Sequence, residues 1–136
     1  MRMRIQQHHQ ATWINDAYNA NPDSMKAALT WLSEFAVPEQ LILILGDMAE
    51  IGDYAAESHL DILRTARSFF ADARIVAIGK NMCQAATALE SDKCPVNAFS
   101  SPREALPFIR QQVKANDMLF LKASRSTHLE IVEQEF

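Results

Sequence analysis

Glycine is scarce in this sequence, three in 136 residues, and none is placed as a phosphate cradle requires. Neither G-x-x-x-x-G-K-[ST] nor G-x-G-x-x-G occurs, so the phosphates of a nucleotide have no dedicated loop of backbone N–H groups here. Basic charge is also short. The 13 Lys and Arg against 17 Asp and Glu leave a net charge of -4, which offers no positive field to a nucleic-acid backbone or an anionic membrane surface; neither partner is expected. The longest apolar runs, such as Leu41 to Leu45, fall far short of the ~20 residues of a membrane-spanning helix. The polar opening from Met1 to Gln7 has no apolar signal-peptide core, so the cytoplasm is the expected compartment. The two cysteines, Cys83 and Cys94, stand in neither metal nor redox spacing and are expected as free thiols. His8, His9, His59 and His128 also lack metal-ligand spacing, and adjacent His8 and His9 on a strand would face opposite sides. No local pattern poses a nucleophile beside its base. The chain alone is therefore expected to hold no catalytic residue and no metal.

What is present is the material of a folded core. Hydrophobic residues make up 49% and charged residues 22%, far from the composition of disorder. Residues 1–136 are read as a single domain. Three runs without alternation, Leu41–Leu45, Ile75–Ile78 and Met118–Leu121, suit strands covered on both faces of a parallel sheet. Gly46 and Gly79 close the first two, where a chain leaving a strand turns without a Cβ penalty. Helical patterns lie between them. Met25, Ala28, Leu29, Leu32 and Phe35 follow a cap at Asp23 or Ser24. Ala56, Leu60, Leu63, Arg67 and Phe70 mark a second face, widened by Ala66 and Phe69. A third helix is expected over Asn81–Leu89. A fourth opens on the capping box Ser101-Pro102-Arg103-Glu104, with Pro107 distorting its early turns. Ser126–Phe136 turns Leu129 and Val132 or Ile131 inward. Arg4–Gln7 and Thr12–Asn15 form an opening strand pair, Val96–Phe99 adds a strand, and Trp13 and Trp31 read as packing. The expected fold is α/β and Rossmann-like. It is a doubly wound, mostly parallel six-stranded sheet with helices on both faces and an antiparallel strand at the N-terminus.

Ligands of open α/β sheets gather beyond the carboxyl ends of the strands, so the polar residues after each apolar run are the candidates for chemistry. Asn15 to Ser24 follows the second strand. Its Asn and Asp residues also suit turns and helix entries, but Tyr18 has a flat face for a base and Asp16 has acceptors for ribose hydroxyls. In Gly46 to Gly52, Asp47 and Glu50 hold a cation or cap the following helix, capping being preferred. Gly79-Lys80-Asn81 follows Ile78. Lys122-Ala123-Ser124-Arg125-Ser126 sets two cations at an expected helix entry, either as an anion site or as a solvated pair.

Asp16 to Met25, Gly46 to Gly52 and Lys122 to Ser126, in that order and spacing, resemble three motifs of the Mur ligase family, and the likeness runs along essentially the whole chain. The D-x-Y-N-A-N-P stretch resembles the branch that joins D-alanyl-D-alanine to UDP-N-acetylmuramoyl-tripeptide in peptidoglycan synthesis. The resemblance implies a C-terminal domain that closes over a central ATPase domain, which carries the phosphate loop and magnesium sites, with an N-terminal domain for the UDP-sugar peptide. It implies that ATP phosphorylates the peptide's carboxylate and that the amine of D-alanyl-D-alanine attacks the acyl phosphate. ATP and Mg2+ are then cofactors of the whole enzyme; this domain alone binds neither tightly and is inactive. Carried over residue by residue, Asp16 takes the ribose hydroxyls, and Tyr18, Asn19 and Asn21 line the adenosine side or the closed interface. Arg2 reaches the phosphates. Lys122, Ser124 and Arg125 contact the dipeptide carboxylate or orient the phosphoryl group. Ala123 departs from the family's glycine, and a positive φ there would strain it. The alternatives are a free-standing nucleoside- or anion-binding α/β module and a protein-docking domain. An upstream sequence encoding the phosphate-loop domain separates the ligase from both.

Overall fold

The computed structural model describes residues 3–90 and 96–136. The chain opens with an antiparallel pair, β1 (Arg4–His8) and β2 (Ala11–Asp16). The two residues joining them, His9 and Gln10, have φ of 53° and 64°, the backbone of a type I′ turn whose twist suits the strands. The other strands, β3 (Leu41–Gly46), β4 (Arg74–Ile78), β5 (Asn97–Phe99) and β6 (Met118–Lys122), pair in parallel, and β2 joins them through β6. The sheet has six strands in the order β1-β2-β6-β3-β4-β5. Helices α1 (Pro22–Ser33), α2 (Ala55–Phe69) and α3 (Lys80–Glu90) cover one face, and α4 (Pro102–Gln112) and α5 (Glu130–Gln134) the other. This is the expected architecture.

Alternation explains how one apolar run serves two cores. Leu41, Leu43 and Leu45 pack with Ile75, Ala77 and Phe120 under α1 to α3, while Ile42 and Ile44 pack with Val76, Ile78, Leu119 and Leu121 under α4 and α5. Each fully buried Leu or Ile stabilises the fold by ~1.5–3 kcal/mol. A one-residue slip of β3 would exchange the contents of both cores, so register is strongly specified.

The crossovers from β2 to β3, β3 to β4 and β4 to β5 advance the same way across the sheet and leave their helices on one face. The return from β5 to β6 places α4 on the other, as right-handed crossovers require. The chain leaving β6 turns to α5 on that second face. β6 thus lies between two strands whose following helices cover the opposite side from its own. This is a topological switch point, where a crevice opens beyond the carboxyl ends.

Local details depart from the sequence reading. Helix α1 is capped by Asn21, not by Asp23 or Ser24. Pro22 fills the first helical position, and the Asn21 side chain accepts the Ser24 N–H at 2.8 Å while the Ser24 hydroxyl accepts the Asn21 N–H at 3.0 Å; a proline with its fixed φ suits that first position. The buried side of α2 is His59, Ile62, Leu63 and Ala66, with Ala56 exposed. Arg67 lies off that face and donates to the carbonyls of Phe70, Ala71 and Ala73 at 3.1, 2.8 and 2.9 Å, which satisfies acceptors where α2 ends. Phe69 is exposed and Phe70 buried. In α4 the Ser101 hydroxyl accepts the Glu104 N–H at 3.2 Å, but the Glu104 carboxylate meets the Ser100 hydroxyl, so half of the expected box forms. Pro107 lies within an unbroken α4. Among the described residues no helix is long and apolar enough to cross a membrane.

Candidate functional site at the carboxyl rim

Asp16 and Lys122 end β2 and β6 and are direct register partners, so the sheet itself sets a carboxylate beside an ammonium. The Lys122 amine donates to Asp16 Oδ2 at 2.7 Å and to the Asn19 carbonyl at 3.1 Å. Lys122 is only 4% exposed. A buried ammonium requires such partners, and the solvated alternative for Lys122 is excluded. Asp16 keeps its side chain 21% exposed.

Ser124 ties three loops together. Its hydroxyl accepts the Ala49 N–H at 2.7 Å and donates to the Ala20 carbonyl at 3.2 Å, while its own N–H reaches the Asp47 carbonyl at 2.9 Å. The exits of β2, β3 and β6 therefore form one rim. Between Ser124 and Lys122, Ala123 is fully buried and does not occupy the positive-φ region, so the expected backbone strain is absent. Its methyl group explains Gly46 instead: a Cβ on Gly46 would fall 2.6 Å from that of Ala123. Gly79 is the true turn glycine, with φ of 120° and the Asp47 carboxylate where its Cβ would stand.

Asp47 is a cap, but for a different helix from the one expected. Its two oxygens accept the N–H groups of Asn81 and Met82 at 3.1 and 2.8 Å, closing the start of α3 rather than α2. Positive partial charge at a helix N-terminus favours a carboxylate there. His59, fully buried in α2, donates from Nδ1 to the Ala55 carbonyl at 2.6 Å and accepts the Met48 N–H on Nε2 at 2.9 Å. Nothing in the local pattern of residues signals this post beneath the β3 loop. Cys83, next to Met82 in α3, is a free thiol. Burial first, and then the Asp47 charge, push its pKa up, the reverse of an activated nucleophile. Cys94 lies outside the described residues.

Two clefts flank Arg125. One, of about 380 Å³, is lined by Arg4, Asn15, Ala17, Tyr18, Arg125 and Glu130; the other, of about 390 Å³, by Asn19, Ala49, Glu50, Ser124, Arg125 and Ser126. Both volumes lie within the ~300–1,000 Å³ of small-molecule sites. The Arg125 guanidinium lies over the Tyr18 ring, 5.1 Å from its centre, and Tyr18 remains 44% exposed. The expected helix entry at Arg125 is only a 3-10 turn, Arg125–Thr127, and His128 at φ 58° breaks the chain before α5. The N–H groups of Thr127 and His128 are taken by the carbonyls of Ser124 and Arg125, so those two do not face an anion. Of the residues named from sequence, Asp16, Tyr18, Asn19, Lys122, Ser124 and Arg125 gather at the rim. Asn21 is committed to capping α1. Arg2 lies outside the described residues. The sequence reading missed Arg4 and Glu133 and had Asn15 only as the first residue of the Asn15–Ser24 cluster. Among the described residues, no three His, Cys, Asp or Glu side chains converge as a metal site.

Residues 1–125 match the family model described as Mur ligase, glutamate ligase domain. The chain belongs to the Mur ligase family. It is 35% identical over 127 residues to the UDP-N-acetylmuramoyl-tripeptide--D-alanyl-D-alanine ligase of Treponema pallidum, covering 90% of this chain and 27% of that protein. The Bacillus subtilis enzyme of the same name is 32% identical over 124 residues, again covering 90% and 27%. A crystal structure of MurF from Acinetobacter baumannii superposes with a TM-score of 0.82 at 29% identity, covering 97% of this chain and 29% of that one. As a Mur ligase chain, this one spans little more than a quarter of the length of its relatives.

Proposed function

We propose that this chain is the C-terminal domain of the cytoplasmic, ATP-dependent Mur ligase that joins D-alanyl-D-alanine to UDP-N-acetylmuramoyl-tripeptide, forming one wall of a cleft completed by a central ATPase domain. The observation that carries this reading is the Ser124 tie, which gathers the exits of β2, β3 and β6 into one rim with Tyr18 and Arg125 exposed beside it. The relatives' names and the chain's quarter share of their length support it.

In this reading Asp16 presents its carboxylate to the ribose hydroxyls, and Lys122, too buried to approach a ligand freely, holds that carboxylate and balances its charge. Tyr18 and Asn19 line the adenosine side. Asn21 acts indirectly, by fixing the loop it caps. Arg4, on the opening strand, lines the Tyr18 cleft. Ser124 fixes the loop that carries Arg125, whose guanidinium forms a wall of both clefts and suits the dipeptide carboxylate or the transferring phosphoryl group. Among the described residues no three His, Cys, Asp or Glu side chains converge, and this reading leaves metal and phosphate-loop chemistry to the central domain and the UDP-sugar peptide to the N-terminal one. ATP supplies the phosphoryl group to the peptide carboxylate; the dipeptide amine then attacks the acyl carbon and phosphate departs.

The test is reconstitution. This chain, mixed with the matching N-terminal and central domains, ATP and both substrates, is expected to restore ligation, and Asp16→Asn to reduce it by two decades or more while the chain stays folded. Restoration untouched by Asp16→Asn, or none with the folded chain, would leave the free-standing nucleoside- or anion-binding module as the better reading.

A further inference from the structure

We propose that Glu133, on the C-terminal helix, is a positioning residue for the Asn15–Tyr18 loop, acting through the Asn15 side chain. This rests on the nucleoside reading of that loop. Glu133 lies beyond residues 1–125 that match the family model, yet its carboxylate is buried, with the side chain 7% exposed. One oxygen accepts the Asn15 amide at 3.0 Å and the other the His8 Nε2 at 2.8 Å, with the Arg4 guanidinium 3.7 Å away. A carboxylate can only accept. The Asn15 nitrogen must therefore face Glu133, and Asn15 Oδ1 is left to accept the Ala17 N–H, as it does at 3.1 Å.

The consequence is geometric. The orientation of one side-chain amide sets the backbone path through Ala17, and with it the placing of Tyr18 in the cleft that Arg4, Asn15, Ala17 and Arg125 share. His8, stacked on Trp13 with ring centres 4.9 Å apart, anchors the second carboxylate oxygen from β1. The last helix thus reaches across to the β2 exit loop through two hydrogen bonds in series.

Exchanging amide and carboxylate within the pair tests this. The readouts are amide exchange at Ala17 and the shifts of the Ala17 and Tyr18 amide resonances during titration of the whole chain with millimolar ADP. Asn15→Asp, which sets two carboxylates against each other, is expected to weaken ADP binding about tenfold and to speed Ala17 exchange about tenfold. Glu133→Gln retains an acceptor for Asn15 and stays within about threefold of the wild type. The double variant Asn15→Asp/Glu133→Gln recovers, because the amide introduced on the helix donates to the carboxylate introduced on the strand. A double variant no better than Asn15→Asp alone, or Glu133→Ala with wild-type Ala17 exchange and ADP affinity, overturns the proposal. Should Asn15→Asp fail to fold, Glu133→Ala alone decides it. If the wild-type chain shows no ADP-dependent shift, as the absence of a phosphate loop allows, Ala17 exchange alone decides whether Glu133 sets the loop, and the nucleoside reading is decided separately by the Asp16→Asn reconstitution.

Discussion

The loop after β3 is held from below by a single imidazole. His59 is fully buried and its Nε2 accepts the N–H of Met48, itself buried. The Nδ1 proton is committed to the Ala55 carbonyl, which leaves Nε2 as the acceptor and fixes the tautomer. Replacing the ring with Leu fills similar space but strands a buried N–H group, a loss of ~1–3 kcal/mol. Urea unfolding should show that loss for His59→Leu and a smaller one for His59→Gln, whose amide oxygen can still accept. Equal stability of the two would mean that the ring contributes volume and not its hydrogen bond.

At the scale of elements, the β1–β2 hairpin carries a correctable cost. His9 and Gln10 both adopt positive φ, a region that disfavours L-residues by ~1–2 kcal/mol each. The Gln10 backbone carbonyl, not its side chain, accepts the Asn116 N–H at 2.8 Å. Gln10→Gly should therefore raise stability by about 1 kcal/mol, seen as a higher melting temperature. An unchanged or lower value would mean that the side chain offsets the strain. A second element-level device is the tie from α4 to the chain's end. Arg103 donates to both Glu135 carboxylate oxygens, at 3.1 and 2.7 Å. That hydrogen bond, ahead of the charges of Arg103 and Arg110, holds the Glu135 carboxyl below its ordinary value. A depressed carboxyl stabilises the fold above its unfolded pKa, and the benefit is lost as pH falls through the folded value. Wild type and Arg103→Ala should thus differ slightly near neutrality, as exposed pairs do, and converge in melting temperature once the pH has fallen below the ordinary glutamate range and through the depressed folded value; a gap persisting in stronger acid would exclude the ion pair as its source.

These elements also show what local pattern holds and what it does not. Leu41–Leu45, Ile75–Ile78 and Met118–Leu121 announced strands because burial on both faces removes alternation, and the observed β3, β4 and β6 follow them closely. Arg125 was legible because it lies just beyond Met118–Leu121, and Asp16 and Tyr18 because they follow the β-prone stretch Thr12–Asn15. Partnership between strands was not legible. Asp47 caps a helix that begins one strand later, and Glu133 reaches Asn15 across 118 positions. Lys122, which from sequence alone could have been solvated, is buried by Asp16, 106 positions away. Arg67 fell on an expected apolar stripe because a helical period cannot distinguish an arginine that lies along a core from one that turns back to cap its own helix.

For the whole molecule, the decisive feature is the placing of β6 between β2 and β3, which opens a crevice at the rim where the polar loops meet. On the proposed reading the crevice carries recognition groups, and the sequence holds no phosphate loop. If the missing loop makes about three charge-assisted hydrogen bonds of ~1.5–3 kcal/mol each, the chain alone lacks about three to six decades of ATP affinity. Orientation of the γ-phosphoryl group is lost with it, so the deficit falls on turnover as well as on binding. The chain alone, assayed at steady state with millimolar ATP and magnesium, should release no phosphate above a Tyr18→Ala/Arg125→Ala control. Phosphate release that requires magnesium and disappears in that control would place a complete ATPase site within these 136 residues, and the division of labour between domains would have to be abandoned.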